Sequence, residues 1–487
     1  MAKGMVEFAD EKQGYCRIRI KKGLDLKIDG APGSVVENSP PITRVALLGD
    51  DYPMLKPAFK VGVGDTVKTG QVLFVDREQP RIQFTSPGAG TVVEINRGEK
   101  RAFESIVIEL SETRGKKTPS SQEVVFSKYD AKQLKNIPQK DIIENLLQSG
   151  LWSALRSRPF GVIPAPPAEN TGQPSSIFVT AVDTNPHSPP PEIFINEYRS
   201  EFETGLEMLS RLVEGRLFLV KKDTMALPLF SPEFPSNGLC GKLIHVDVSG
   251  PHPAGNVGTH IHFLDPVGSP SDPQKSVWYI NYQDVAAIGY LFVTGRLFTD
   301  RLVSVSGPAC EKPTLMKTRL GASVDEMVAG RKKAGDIRQV SGSLLSGNIA
   351  AGTKAFLGRY HTQVSLIEEG RQRKLLGWLD PGFNRFSSKN IYISSLLKPK
   401  SYDFTTSTNG SARAMVPIEV YEKVMPLDIQ PVFLLRSILM GDIEHAEELG
   451  VLELEEEDLA LCTFVSPGKD DFGYILRTML NRIRKGE

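Results

Sequence analysis

The chain has 487 residues, and its 58 basic and 58 acidic side chains cancel, so no global field steers it toward nucleic acid or a charged surface. One core cannot serve a chain of that length, and three or four domains are expected. The longest apolar stretches, such as 432–440, fall far short of the ~20 residues that a transmembrane helix needs, which leaves a soluble, cytoplasmic protein as the expectation.

Residues 1–16 carry acidic side chains and no apolar run, so they are expected as an N-terminal extension and not a secretory signal. An N-terminal segment, 17–55, follows. Over 56–112 apolar and polar residues alternate, as in Val61-x-Val63-Gly64-Asp65-x-Val67 and Thr91-Val92-Val93-Glu94-Ile95, around Gly-Asp and Thr-Gly turns. The two runs resemble the halves of a biotinyl/lipoyl carrier, a small barrel-sandwich. Carriers present a lysine on the hairpin between the halves. Here that hairpin reads Glu78-Gln79-Pro80-Arg81-Ile82, so the fold is expected without a swinging arm.

From 129 to 299 helical and strand patterns alternate. Ile142, Ile143, Leu146, Leu147, Leu151 and Leu155 recur three or four apart and predict a helix over 141–155. A buried strand is predicted at 177–182, a helix at 194–213 and a strand at 216–220, with Pro/Ser-rich loops at 164–176 and 231–238. Alternation of this kind implies a parallel, Rossmann-like sheet. A second β-rich unit occupies 300–375, with strands at 301–307, 337–341 and 363–368 and a short helix at 324–328 that Ser323 caps. It resembles the soluble-ligand-binding β-grasp domain beside the NADH-binding flavoprotein subunit of respiratory complex I. A connecting segment, 376–425, leads to a helical domain, 426–487, with helices at 429–440, 444–450, 455–461 and 474–483. The fold class is therefore α/β multidomain.

The run Cys462-Thr463-Phe464-Val465-Ser466-Pro467 matches the end of the ferredoxin pattern Cys-x2-Cys-x2-Cys-x3-Cys-Pro, with Ser466 in place of the last thiolate. Cys16, Cys240, Cys310 and Cys462 lie far apart, so a cluster lacks its ligands, and scattered thiols suit a reducing compartment. The alternative is an ordinary buried cysteine before a helix-ending Ser-Pro. The surrounding motifs decide the family. Tyr421-Glu422-Lys423-Val424-Met425-Pro426-Leu427-Asp428, Leu449-Gly450-Val451-Leu452-Glu453-Leu454, Gly250-Pro251-His252-Pro253-Ala254-Gly255 and Gly258-Thr259-His260-Ile261-His262-Phe263 resemble the A subunits of bacterial sodium-translocating NADH:quinone oxidoreductases, over roughly 17–487. The resemblance implies a peripheral subunit on the cytoplasmic face of the inner membrane, docked beside the membrane-embedded B subunit. The complex oxidises NADH with ubiquinone and exports sodium. It also implies that NADH, FAD or FMN and iron–sulfur centres belong to other subunits, and that the helical domain is a ferredoxin-like body without its cluster. An electron-carrying subunit like the C subunit of Rnf complexes is disfavoured by the missing cysteines.

The other chemistry is thin. Ser249-Gly250-Pro251-His252-Pro253-Ala254-Gly255 follows a strand, where glycine-rich loops cradle phosphates, but its two prolines remove donors. It resembles an altered form of the flavin and nucleotide site of the related complex I subunit. His260 and His262, taken as neighbours on a strand, could pair on a metal with His252, but only Asp265 lies near as a further ligand. Structural histidines are the expectation. Ser341-Gly342-Ser343 lacks the spacing of a nucleophile elbow. A quinone needs an apolar slot, an aromatic face and donors for its carbonyls. The family resemblance brings forward two segments for that role. One offers Tyr52, Met54 and Leu55, and the other Trp152, Leu155, Arg156, Arg158 and Phe160. The competing expectation is that these residues are plain core and that the chain is a scaffold with no ligand of its own.

Overall fold

The structure is a computed structural model. It describes residues 6–10, 15–111, 122–167, 172–225, 242–269, 271–371, 379–389 and 391–487. Cys240, Trp378, the 231–238 loop and part of the 1–16 extension lie outside the described residues.

The apolar runs Ile177–Phe178–Val179 and Leu217–Phe218–Leu219–Val220 are at most 1 % exposed, as strands covered on both faces require. They lie at the centre of a seven-stranded sheet ordered Val6–Asp10, Tyr15–Arg19, Leu243–Ser249, Arg216–Lys222, Ser176–Ala181, Val277–Asn281, Arg156–Arg158. The five inner strands are parallel and the two edges antiparallel. Strand order reverses between Ser176–Ala181 and Val277–Asn281, and the helices that follow these two strands pack together on the same face of the sheet.

Helices Arg199–Ser210 and Tyr282–Thr294 cover one face, and two glycines set their spacing. A Cβ on Gly289 would stand 1.8 Å from the Glu201 carbonyl oxygen, and one on Gly205 2.0 Å from that of Val285. The backbones therefore touch. The helix predicted over 194–213 is two helices, Pro191–Glu197 and Arg199–Ser210, broken at Tyr198. The one predicted over 141–155 ends at Ser149, because Gly150 takes a left-handed C-terminal conformation. A short 3-10 turn, Leu151–Ala154, and the edge strand Arg156–Arg158 follow it.

The N-terminal boundaries differ from the sequence expectation. Strand Tyr15–Arg19 runs across the 16/17 boundary and pairs in parallel with Leu243–Ser249. Residues 17–55 are no unit of their own, because Val36–Asn38 pairs with Thr314–Arg319 and Arg44–Leu48 with Phe103–Leu110. The segment stitches three domains together. Its last strand opens the barrel-sandwich, so that domain begins before residue 56. One sheet there is Arg44–Leu48, Phe103–Leu110, Gly90–Arg97 and Thr66–Val67, and the other is Pro57–Phe59, Val72–Asp76 and Gln83–Thr85. Phe59, Phe74, Phe84 and Phe103 pack within it, with ring centroids 4.6–5.5 Å apart.

The next unit is a six-stranded sheet containing Ile337–Ser341 and Gln363–Glu368 where strands are predicted. The Ser323 hydroxyl accepts the Glu326 N–H to cap helix Val324–Met327. Helices Pro431–Met440, Ile443–Glu448, Ala460–Val465 and Phe472–Lys485 close the chain around their own core, which includes Leu434, Leu461, Leu476 and Leu480. Cys462 is buried in that core and Ser466 accepts a hydrogen bond from Tyr421, so both positions are occupied by packing.

Gly289→Ala is expected to destabilise the α/β domain by about 2–3 kcal/mol, since the methyl must push two helix backbones apart. Urea unfolding followed by circular dichroism reads the change.

Candidate functional site

The barrel-sandwich, the six-stranded domain, the connecting segment and the helical module surround a cleft of about 2610 Å³. Its floor is built from the turn after strand Arg44–Leu48. Gly49 lets that turn pass against Phe103, whose carbonyl oxygen would sit 2.0 Å from any Cβ. The turn presents Asp51, Tyr52, Met54 and Leu55 to the cleft. The Tyr52 ring stands edge-on to Phe84 and Tyr360, with centroids 4.8 and 6.3 Å away. Opposite, strand Arg156–Arg158 brings the Arg156 guanidinium over Tyr360 at 4.9 Å and over Tyr279 at 5.5 Å. His361 completes this wall, with Nδ1 2.9 Å from the Ser341 hydroxyl. That hydroxyl also accepts the Gly358 N–H, so Ser341 has a packing role.

Of the eight residues expected at a quinone site, Tyr52, Met54, Leu55 and Arg156 line this cleft together. The other four do not. Trp152 is fully buried edge-on against Trp278, and its indole N–H donates to the Pro164 carbonyl at 2.8 Å. Leu155 is core. Phe160 packs on the helical module. Arg158 is wholly buried, with Nε 2.7 Å from Glu455 and Nη1 2.9 Å from Asp458.

Those carboxylates belong to the run Glu455–Glu456–Glu457–Asp458, which organises the junction. Glu455 also pairs with Arg156 at 3.2 Å and accepts the Tyr279 hydroxyl at 2.6 Å. Glu456 takes a two-pronged contact from Arg477 at 2.5 and 2.6 Å. Asp458 lies over the first turn of helix Val257–Leu264, where a Cβ on Gly258 would meet its Oδ1 at 2.4 Å. The Asn256 amide donates to the Glu457 carbonyl at 3.2 Å. A helix N-terminus after a glycine-rich loop is where anions bind, and here the chain's own acidic segment packs beside that first turn. The loop's backbone is engaged too. Gly255 N–H donates to Thr184 Oγ1 and His252 N–H to Asp25 Oδ1, each at 2.8 Å.

The histidine pair lies on that helix, not on a strand, so the two side chains point to different sides. His260 Nε2 bonds the Ala254 carbonyl at 2.8 Å. His262 Nε2 accepts the Asp428 N–H, which leaves its Nδ1–H to donate to Glu453 at 2.6 Å. His252 Nδ1 meets the Thr184 hydroxyl at 3.1 Å. Among the described residues no group of three or more His, Cys, Asp or Glu is arranged to hold a metal.

Several groups at the cleft titrate abnormally. Burial pushes the Asp51 carboxyl up to about 7, against the pull of the Arg359 N–H that it accepts at 2.8 Å. Burial, with Arg156 nearby, holds His361 down to about 4 and therefore neutral. Burial, with Asp458 and Glu455 close by, pushes Glu457 up to about 8. The sequence reading missed Asp51, Tyr360, His361 and the Glu455–Asp458 run. Of these only the acidic run carried a local signal, four adjacent carboxylates ahead of an apolar turn.

A barrel-sandwich, an α/β sheet, a second β-rich unit and a helical module joined in one chain define a multidomain α/β protein. The comparisons make this specific. Residues 18–111 match the model of the NqrA N-terminal barrel-sandwich hybrid domain, 137–297 the NqrA second alpha/beta domain and 302–352 the NQRA C-terminal domain. The A subunit of the Na(+)-translocating NADH-quinone reductase from Hahella chejuensis is 48 % identical over 468 residues, covering 96 % of this chain and 99 % of the relative. Its counterpart from Pseudomonas aeruginosa is 49 % identical over the same shares. The chain belongs to the family of Na(+)-translocating NADH-quinone reductase A subunits and is part of an oxidoreductase complex. A hydrogenase described as NAD+-reducing and [NiFe] is 14 % identical over 75 % of this chain and 68 % of its own, with a TM-score of 0.39, which bears neither on fold nor on function.

Arg158→Met leaves Asp458 buried without its cation and Glu455 with Arg156 alone, and is expected to cost about 3–5 kcal/mol. Loss of the helical module's cooperative unfolding in urea reads it. Asp51 supplies a second expectation. The folded protein holds its proton to about pH 7, whereas an exposed aspartate loses it near 4. Its contribution to stability is complete below pH ~4 and is lost as the pH rises toward 7. Asp51→Asn, which cannot titrate, should flatten that decline in melting temperature.

Proposed function

We propose that this protein works at the cytoplasmic face of the bacterial inner membrane, docked beside the B subunit of the reductase, and contributes to ubiquinone interaction and complex assembly. No helix among the described residues is long and apolar enough to cross a membrane, in keeping with a peripheral place. The sodium path, NADH, flavins and iron–sulfur centres belong to other subunits in this reading. The α/β unit is a Rossmann-like domain whose phosphate position Asp458 closes. The helical module is a ferredoxin-like body without cluster ligands.

One observation carries the quinone reading. The wall of Met54, Leu55, Tyr52, Tyr360 and Arg156 sets apolar side chains and aromatic rings beside a guanidinium donor in one open cleft. In this reading the quinone ring lies along the wall that Leu55 and Tyr360 line, with Arg156 or protonated Asp51 donating to a carbonyl oxygen. The Trp152 segment supports this wall from behind.

Calorimetric titration of the purified chain with a short-tailed ubiquinone tests the reading. Saturable binding that Leu55→Asp weakens about ten-fold, the effect of losing one buried leucine contact, is expected. No saturable heat with the wild-type chain would leave the scaffold role alone.

A further inference from the structure

Residues 379–389 and 391–403 fold into a small lobe on the rim of the cleft. Its internal contacts point inward. Ile393 N–H donates to the Pro381 carbonyl at 3.1 Å and Ser394 N–H to that of Gly382 at 3.2 Å, which ties the 381–383 turn to helix Ser394–Leu397. Phe386 sits among Tyr402, Phe404 and Phe464, with centroids 5.5–5.8 Å away. These aromatics anchor the lobe on the helical module, so the opposite face is not needed to hold it in place.

That outer face is strongly apolar. Phe383 is 58 % exposed, Ile391 71 %, Leu396 82 % and Leu397 60 %. With Leu379 and Ile393, six of the fifteen exposed large hydrophobic residues among the described residues fall in this one lobe. Single exposed apolar residues need no explanation, but a cluster marks a contact surface. The charges say which kind. Residues 379–403 contain Arg385, Lys389, Lys398 and Lys400 against two carboxylates, Asp380, which lies 3.9 Å from Arg385, and Asp403, and the three lysines are exposed. The core of a protein interface is poor in lysine, and a solvated face would not carry the leucines. An anionic bilayer wants both, with apolar side chains at the acyl boundary and lysines among the headgroups.

We propose that this lobe inserts shallowly into an anionic phospholipid surface. Phe383, Ile391, Leu396 and Leu397 enter the acyl boundary, and Lys389, Lys398 and Lys400 meet the lipid phosphates. The chain's zero net charge makes this attraction local to the lobe. The contact stands whether or not the cleft takes a quinone. It would turn the cleft mouth, which Tyr392 and residues 384–388 also line, toward the lipid.

The test is co-sedimentation of the purified full chain with vesicles of phosphatidylcholine alone or with about one third phosphatidylglycerol, at low and at physiological salt. Salt-sensitive binding to the anionic vesicles is expected, weakened about ten-fold or more by Leu396→Asp with Leu397→Asp, and likewise by Lys398→Glu with Lys400→Glu. Because all four side chains are exposed, unchanged thermal melting checks that each variant folds, and either pair alone suffices. In a Leu396→Trp variant, quenching by acyl-brominated lipid should report insertion. Failure to sediment with anionic vesicles would overturn the proposal, as would binding indifferent to both pairs. So would a leucine pair that keeps vesicle binding but loses the other reductase subunits, which would make the lobe a protein-docking surface.

Discussion

A buried arginine governs how this molecule is assembled. Arg158 stands on the edge strand of the α/β sheet with no exposure, and its neutralising charges, Glu455 and Asp458, come from the helical module. A guanidinium in such a place is costly unless its partners are fixed within contact distance. These contacts therefore tie the two domains together at this edge of the sheet. The cleft shares in that tie, because Arg156 two residues away shares Glu455 and reaches Tyr360 with its face. The Arg477 guanidinium repeats the logic one step further out, holding Glu456 and the Phe160 carbonyl.

The same acidic run changes what the α/β sheet can do. Sheets of this kind bind ligands beyond the carboxyl ends of their strands, and a helix start offers its N–H groups to an anion there. In this chain a carboxylate lies on Gly258 and the Asn256 amide is turned onto the backbone of residue 457. At this position the acidic run joins the α/β domain to the helical module.

Much of the fold was legible because it rests on local pattern. The strands 337–341 and 363–368 lie where their β-forming residues place them, the 177–182 run is apolar enough to be buried on both faces, and Ser323 caps where its spacing says. The failures also have local causes. Gly150 and Tyr198 break helices whose apolar period runs on past them, and His260 with His262 reads equally well as strand or helix over so few residues. The cleft was half legible. Tyr52, Met54, Leu55 and Arg156 announce an apolar slot with a donor, whereas Trp152 and Arg158 have the same chemistry and are turned inward. Only tertiary structure separates a tryptophan that faces a ligand from one that faces another tryptophan. Asp51 and His361 were invisible because their character comes from burial among residues distant in sequence, such as Arg359 for Asp51 and Arg156 for His361.

The way the first fifty residues are shared among three domains has a consequence for how the chain is made. Strand Tyr15–Arg19 finds its parallel partner only at Leu243–Ser249, and Val36–Asn38 waits for Thr314–Arg319. At ribosomal speeds of about 5–20 residues per second, roughly 230 residues of synthesis separate the first pair, which is on the order of 10–45 s. Through that interval the buried apolar side chains Ile18 and Ile20 have no sheet to join, while the barrel-sandwich between them can already close. The nascent protein therefore carries a barrel-sandwich that can close early beside strands that wait for partners made much later.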